Sequence, residues 1–265
     1  MWDPGQYALF ADHRGRPFAD LLSQVAATAP GLVVDLGCGD GPLTLRLADR
    51  WARARVVGVD SSAEMIDAAR AHDERSRVEW VRARAEEWDA GSFGQVDVLV
   101  TNAALQWVPG HLDLIPRWLA ALAPGGWFAM QVPANFDAPS HRLMREVAAR
   151  HARADQLRPA LRGSLTVADP AAYLSVLAGE GLEAQAWQTT YLHVLDPEGA
   201  QRSPVLEWVR GTGLRPVLEL LTDEAELQDF LQDYVTELDR AYPREPFGVV
   251  FPFTRTFAVG RRPGP

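Results

Sequence analysis

Lysine is absent from this 265-residue chain, so all 26 of its basic residues are arginines. The basic complement therefore consists of planar forks suited to carboxylates. Cysteine is almost absent as well: Cys38 stands alone, which excludes an internal disulfide. A lone cysteine in a glycine-rich turn reads as a small side chain rather than a nucleophile. Positive charge is in deficit, with 26 basic against 35 acidic residues and a net charge of −9. That balance opposes nonspecific attraction to nucleic acid or to an anionic membrane. No run reaches the ~18 apolar residues of a membrane span, and the first 17 positions carry charges with no apolar stretch of a leader. The six histidines are scattered without paired Cys or carboxylate spacing, so no metal site is expected. These absences predict a soluble cytoplasmic protein; a small-molecule partner and a monomer or weak homodimer are expected beside that. At 47% apolar and 23% charged, the composition is that of an ordinary globular protein.

What is present centres on Leu32-Val33-Val34-Asp35-Leu36-Gly37-Cys38-Gly39-Asp40-Gly41-Pro42. The apolar run reads as a buried strand of a parallel sheet, the glycines permit positive φ and close backbone approach, and Pro42 suits a first helical position. A dinucleotide fingerprint, G-x-G-x-x-G, would need its third glycine where Pro42 stands. Asp35 and Asp40 would also lie close to a pyrophosphate, at a cost of roughly 1 kcal/mol or more per like-charged pair. A cationic ligand suits the turn better; S-adenosylmethionine has a sulfonium, an ammonium and no phosphate. About twenty residues on, Arg55 to Asp60 forms a second apolar strand ending in a carboxylate, the expected place for a grip on ribose hydroxyls. Ser61 and Glu64 have the spacing of a capping box for the next helix.

The pattern then alternates. A helix begun by Pro17, with Phe18, Leu21, Leu22 and Val25 on one face, precedes the first strand. Strands are expected at 78–81, 96–101 and 127–132, with helices near 62–71 and 112–122 and a turn at Ala123-Pro124-Gly125-Gly126. Strands separated by helices of this length imply a parallel sheet with right-handed crossovers. Ligands bind at the carboxyl ends of such strands, where Asp35, Asp60 and Asn102 fall. Residues 137–163 read as helical and basic, Asp169-Pro170 starts another helix, and strands at 183–194 and 249–259 form a closing pair around a helical stretch at 196–246. The expected organisation is a single domain over 1–265, with an N-terminal helical segment 1–29 over the cofactor and lid insertions at 135–168 and 196–246.

With the glycine turn, the Asp60 strand and Asn102-Ala103-Ala104-Leu105-Gln106-Trp107 in place, the sequence resembles the class I S-adenosylmethionine-dependent methyltransferases. Further runs narrow the resemblance to the branch that esterifies trans-aconitate: Trp2-Asp3-Pro4 with Tyr7 and Phe10, His141 with Leu143-Met144-Arg145-Glu146, Trp187 with Thr189-Thr190-Tyr191 and His193, Trp208-Val209, Thr212 to Pro216, and the last strand through Arg255. The resemblance implies a Rossmann-like α/β fold: a seven-stranded, mostly parallel sheet with an antiparallel last strand and helical lid insertions. It implies a monomethyl ester of a small polycarboxylic acid as product and S-adenosyl-L-homocysteine as by-product. It places Gly37 and Gly39 under the methionine part of the cofactor, with Asp35, Cys38, Ser61 and Ala85 as further cofactor contacts. Asp60 falls at the ribose, Met65 beside adenine, and Asn102, Ala103 and Gln106 near the sulfonium. The family's usual acidic residue near the adenine amino group is replaced by Arg84, with Glu86 and Glu87 following.

A carboxylate acceptor is already ionised at neutral pH, so no general base is required. Gln106 and Trp107 are candidates for positioning, and Tyr7 and Arg14 for closing over the cofactor. Arg215 and Arg255 are the first candidates for holding carboxylates, with His141, His193 and Trp208 as further substrate contacts. Two other readings remain open: methylation of a different acid, hydroxyl or amine, and a noncatalytic cofactor binder.

Overall fold

Short β-branched runs between amphipathic helices build a twisted parallel sheet. A computed structural model describes residues 11–264 apart from 162, 164 and 165. Strands β1 (Leu32–Leu36), β2 (Arg55–Asp60), β3 (Val78–Arg82), β4 (Val96–Asn102) and β5 (Leu122–Pro133) alternate with helices α1 (Ala11–Ser23), α2 (Pro42–Arg50), α3 (Ala63–His72) and α4 (His111–Leu119). There follow α5 (Pro139–Arg150), α6 (Ala154–Ala160), α7 (Pro170–Gly179), β6 (Glu183–Leu195), α8 (Pro204–Arg210), α9 (Arg215–Leu220), α10 (Glu224–Ala241), β7 (Arg244–Glu245) and β8 (Gly248–Arg261). The sheet runs β3-β2-β1-β4-β5-β8-β6, with the two-residue β7 paired to β8 off this path. Strands β1 to β5 pair in parallel, while β8 is antiparallel to β5. This is the expected Rossmann-like sheet. Strand order reverses between β1 and β4, the switch point at which open α/β sheets bind ligands. Among the described residues, no helix is long and apolar enough to cross a membrane.

The chain divides into two compact units. The sheet unit takes Gly15–Pro133, Val167–Thr189 and the chain from Arg255 onward. Its larger core sets Val34, Leu36, Val57, Val59, Leu99, Phe128 and Met130 of the sheet with Trp118 of α4 and Tyr173 and Leu177 of α7. The helical unit takes Ala134–Thr166 and Thr190–Thr254, so it holds most of the segments expected as insertions. Its core joins Leu143 and Val147 of α5, Trp208 and Val209 of α8, Phe230, Tyr234 and Leu238 of α10, and Phe251 of β8. Buried hydroxyls tie it together: Tyr234 donates to the Ser140 carbonyl at 2.7 Å, and the Ser140 N–H donates to the Tyr242 oxygen at 3.0 Å.

Several boundaries differ from the sequence reading. Helix α1 begins at Ala11 and contains Pro17, rather than starting there. Burial of Phe18, Leu21 and Leu22 outweighs the roughly 3 kcal/mol that an interior proline costs. The Ala123–Gly126 stretch lies inside β5. Gly125, at φ +80°, accommodates the register shift between Val96 and Val98 on the paired strand. Because Leu122 already pairs with Val96, α4 stops at Leu119. The N-cap of α3 is Ser62, whose hydroxyl accepts from the Met65 N–H at 3.2 Å. Ser61 does not cap, because the Asp60 carboxylate takes the Ser62 N–H at 2.9 Å and delays the helix by one residue.

The glycine turn joins β1 to α2. The N–H groups of Gly37 and Cys38 both donate to the Val59 carbonyl, at 2.7 and 3.0 Å, anchoring the turn to β2. Gly37 lies at φ +83°, and a Cβ there would fall 2.2 Å from the Cβ of Ala104. Gly39, at φ +56°, would direct a Cβ into open space. Gly37→Ala should therefore cost about 2–5 kcal/mol, from about 1–2 for left-handed backbone and about 1–3 for overpacking. Gly39→Ala should cost only the first of these. Urea unfolding of the two variants measures the difference, and equal losses would refute the steric assignment.

Candidate active site

Two carboxylates meet at the glycine turn. Asp35, one residue before the end of β1, lies in the interior, where the Thr44 hydroxyl of α2 donates to it at 2.6 Å. Burial pushes its pKa up to about 6; the Thr44 hydrogen bond works in the opposite direction, and the charge of Asp60 adds to the rise. Thr44 is absent from the sequence-derived candidates. In the structure its hydroxyl is buried beside Leu47 and Ala48 of the same helix, and only the approach of Asp35 gives it a role. Asp60 is a latch: one carboxylate oxygen accepts from the Gly39 N–H at 3.0 Å, the other from the Ser62 N–H at 2.9 Å. It therefore fixes the turn and the start of α3 together, and each oxygen retains a lone pair. Burial raises the Cys38 thiol far above its ordinary range, with Asp35 and Asp60 adding to the effect. The thiol is thereby held in its un-nucleophilic form.

The far wall is the end of β4. Ala103 adopts φ +53°, a conformation that costs a non-glycine residue about 1–3 kcal/mol, and its N–H donates to the Gln131 carbonyl at 2.8 Å. Gln106, in the 3₁₀ turn Leu105–Trp107, donates its amide N–H to the Ala103 carbonyl at 2.5 Å. A carbonyl only accepts, so the side-chain oxygen of Gln106 is the end left over. Among the described residues neither this oxygen nor Asn102 Oδ1 has a hydrogen-bond donor, and both are buried. The lining is thus rich in acceptors: two carboxylates and two amide oxygens. Trp107 leaves half of its surface exposed (51%).

At the edge of the turn, the Ser61 carbonyl accepts from Arg82 at 3.3 Å. The Met65 N–H caps onto Ser62, and the Ala85 carbonyl accepts from the Trp118 indole at 3.1 Å. Arg84 lies 2.9 Å from Glu86 and 3.8 Å from Glu87, so it is ion-paired with both. Tyr7 lies outside the described residues. Arg14 falls in α1, but its side chain also lies outside them.

The substrate candidates divide between the units. In the helical unit the His193 ring stacks on Trp208, with centroids 5.0 Å apart, and Trp208 packs on Phe251 and Phe253. His141 sits against the Thr212-Gly213-Leu214 turn, where a Cβ at Gly213 would approach its Nε2 to 3.0 Å. Arg215 opens α9 and reaches Glu219 at 3.3 Å. In the sheet unit Arg255 of β8 is buried (5% exposed) and donates to the Gln131 side-chain oxygen at 3.1 Å. Gln131 is another residue that sequence reading passed over; a glutamine within an apolar strand was its only sign. Among the described residues no group of three or more His, Cys, Asp or Glu is placed to hold a metal ion.

Comparison with known proteins agrees with this geometry. Residues 33–126, from the first strand to the start of the fifth, match the family model described as a methyltransferase domain. The chain is 48% identical to trans-aconitate 2-methyltransferase of Streptomyces avermitilis, over 98% of this chain and 97% of that protein. Solved structures share the fold at low identity. The YcgJ protein of Bacillus subtilis has a TM-score of 0.60 at 12% identity, covering 95% of this chain and all of that one. Phosphoethanolamine N-methyltransferase 2 of Haemonchus contortus, solved with S-adenosyl-L-methionine, has a TM-score of 0.55 at 15% identity, covering 94% of this chain and 52% of that one. Near-identical length and close to half of all residues in common across the whole chain place the protein in the family of the trans-aconitate 2-methyltransferases.

Proposed function

We propose that the protein transfers a methyl group from S-adenosyl-L-methionine to one carboxylate of trans-aconitate, releasing a monomethyl ester and S-adenosyl-L-homocysteine. The observation that carries this reading is the 48% identity to a trans-aconitate 2-methyltransferase across nearly the full chain. The acceptor-rich turn supports it. Asp35, Asp60, Asn102 Oδ1 and Gln106 Oε1 offer lone pairs and suit a ligand that brings cationic hydrogen-bond donors. The open space above Gly39 leaves room for such a ligand to lie on the backbone.

When bound, the cofactor supplies an electrophilic methyl group on a sulfonium. The residues of this chain supply alignment and exclusion of water. Asp60 would take ribose hydroxyls with its remaining lone pairs, Met65 and Ala85 would border adenine, and the amide oxygens of Asn102 and Gln106 would face the methionine ammonium. A tricarboxylate is fully ionised at neutral pH, so the attacking oxygen needs no base. What it needs is a partly desolvated position near the methyl. Arginine forks should hold the carboxylates that do not react, because a bidentate guanidinium on the reacting one would bind its ground state and blunt its nucleophilicity. The candidates for that task are Arg255 in the sheet unit and, separately, Arg215 in the helical unit, where His141, His193 and Trp208 are further candidates for contact with an acid; Trp107 is a candidate for shielding the reacting groups.

Incubation with labelled S-adenosyl-L-methionine and a panel of di- and tricarboxylic acids should yield a base-labile ester, most rapidly from trans-aconitate. Donor binding with no labelled acid would instead mark a noncatalytic binder. Arg215→Ala should lower kcat/KM for the acid by at least tenfold; a value within twofold of the parent would remove Arg215 from the site. The raised pKa of Asp35 sets a pH dependence. A cationic donor prefers the ionised carboxylate, so its affinity should weaken as the pH falls below about 6, and Asp35→Asn should flatten that profile. In the free protein the same raised pKa favours folding at low pH, and this contribution is lost as the pH rises from about 4 to about 6. Calorimetric titration between pH 5 and 8 reads the donor profile, and a flat curve for the parent protein would refute the role of Asp35.

A further inference from the structure

A buried histidine with a partner at each ring nitrogen has its tautomer decided by what those partners can do. His111, the first residue of α4, is buried. Its Nδ1 lies 3.1 Å from the Val108 carbonyl, which can only accept, so Nδ1 carries the proton. Nε2 is then a lone pair, and the Tyr173 hydroxyl of α7 donates to it at 2.7 Å. Burial pushes the Tyr173 pKa up to about 12, so the phenol keeps the proton it donates, while its oxygen accepts from the Ala168 N–H at 3.3 Å. Burial lowers the pKa of His111, which keeps the ring in the neutral form that this arrangement needs.

This strut of hydrogen bonds ends on the turn that carries Gln106. Val108 closes the 3₁₀ turn Leu105–Trp107, its N–H donating to the Leu105 carbonyl at 3.0 Å. Within the turn the bonds are short-range: the Trp107 N–H to the Ala104 carbonyl at 2.9 Å, and the Gln106 amide to the Ala103 carbonyl at 2.5 Å. Such bonds fix the shape of a turn and leave its placement to longer contacts. His111 and Tyr173 supply one, from positions 62 apart in the chain, and their rings stack at 13° with centroids 5.8 Å apart. Leu105 is buried in the same core as Tyr173. All of these residues belong to the sheet unit.

We propose that Tyr173 and His111 are positioning residues for cofactor binding and act through Gln106. The phenol and the imidazole set where the 105–107 turn stands, and so where the Gln106 side-chain oxygen meets the methionine ammonium of the cofactor. The inference rests on the Gln106 contact proposed above. Neither ring touches the cofactor or adds charge; each hydrogen bond in the strut has only one sense, and what the pair contributes is placement. A turn free to shift would hold Gln106 in its binding position for only part of the time, and apparent affinity falls by that fraction.

A double-mutant cycle on the binding of S-adenosyl-L-homocysteine, read by calorimetry, tests this. Tyr173→Phe removes one oxygen and keeps the stacked ring; Gln106→Met removes the amide and keeps its length. Gln106→Met alone should weaken binding about tenfold. Tyr173→Phe should weaken it at least fivefold in the parent background and less than twofold in the Gln106→Met background, because the group it positions is then gone. A tyrosine that only supports the core would lower the urea midpoint while leaving binding within twofold, or would weaken binding by one and the same factor in both backgrounds; either result overturns the inference. Binding by Gln106→Met within twofold of the parent overturns it by another route, since the contact it rests on is then absent. No acid takes part in the measurement, so failure to form an ester counts against the proposed reaction alone.

Discussion

The site depends on the carboxylate of Asp60. By accepting from the Gly39 N–H with one oxygen and the Ser62 N–H with the other, it ties the glycine turn after β1 to the first turn of α3. Backbone bonds from Gly37 and Cys38 to Val59 run alongside it. Two successive crossover connections are thus clamped at one point, on the side of the sheet where the strand order reverses. A charge-assisted hydrogen bond is roughly twice as strong as a neutral one, so a single side chain can hold a loop that would otherwise be free to vary. The same carboxylate raises the cost of ionising Asp35. One residue therefore sets both the shape of the turn and its appetite for positive charge.

That appetite orders the chemistry. A fold that ordinarily receives phosphates on helix N-termini is here equipped with acids, and the position where a dinucleotide turn needs glycine is occupied by Pro42. Beyond the turn, buried amides continue the pattern, and their orientations follow from obligatory partners. Gln106 must aim its oxygen away from the Ala103 carbonyl, and Gln131 must aim its nitrogen away from Arg255. Among the described residues these atoms have no protein partner, at a cost of about 1–3 kcal/mol each. Stability alone gives no reason to keep them.

Much of the architecture was legible because it is written in local periodicity. The five parallel strands, the crossover helices, the Asp169 cap and the closing strands all announce themselves through apolar runs and turn residues. Asp169, for example, accepts from the Ala172 N–H at 2.8 Å just ahead of α7. Boundaries failed where a tertiary contact overrode local preference: Pro17 inside α1, the glycine-rich segment absorbed into β5, and the shift of the cap from Ser61 to Ser62. The glycines and carboxylates of the turn were readable because their spacing is short. Thr44 and Gln131 were not, because each acquires meaning only from a partner brought to it by the fold: Asp35 nine positions away, and Arg255 more than a hundred.

The substrate side shows why arginine alone is an incomplete signal. With no lysine in the chain, every cation is a candidate, and most are spent on surface ion pairs worth about 0–1 kcal/mol. Arg84 with Glu86 and Glu87, and Arg142 with Glu146, are of this kind. Burial and a hydrogen bond to the Gln131 side chain set Arg255 apart from them.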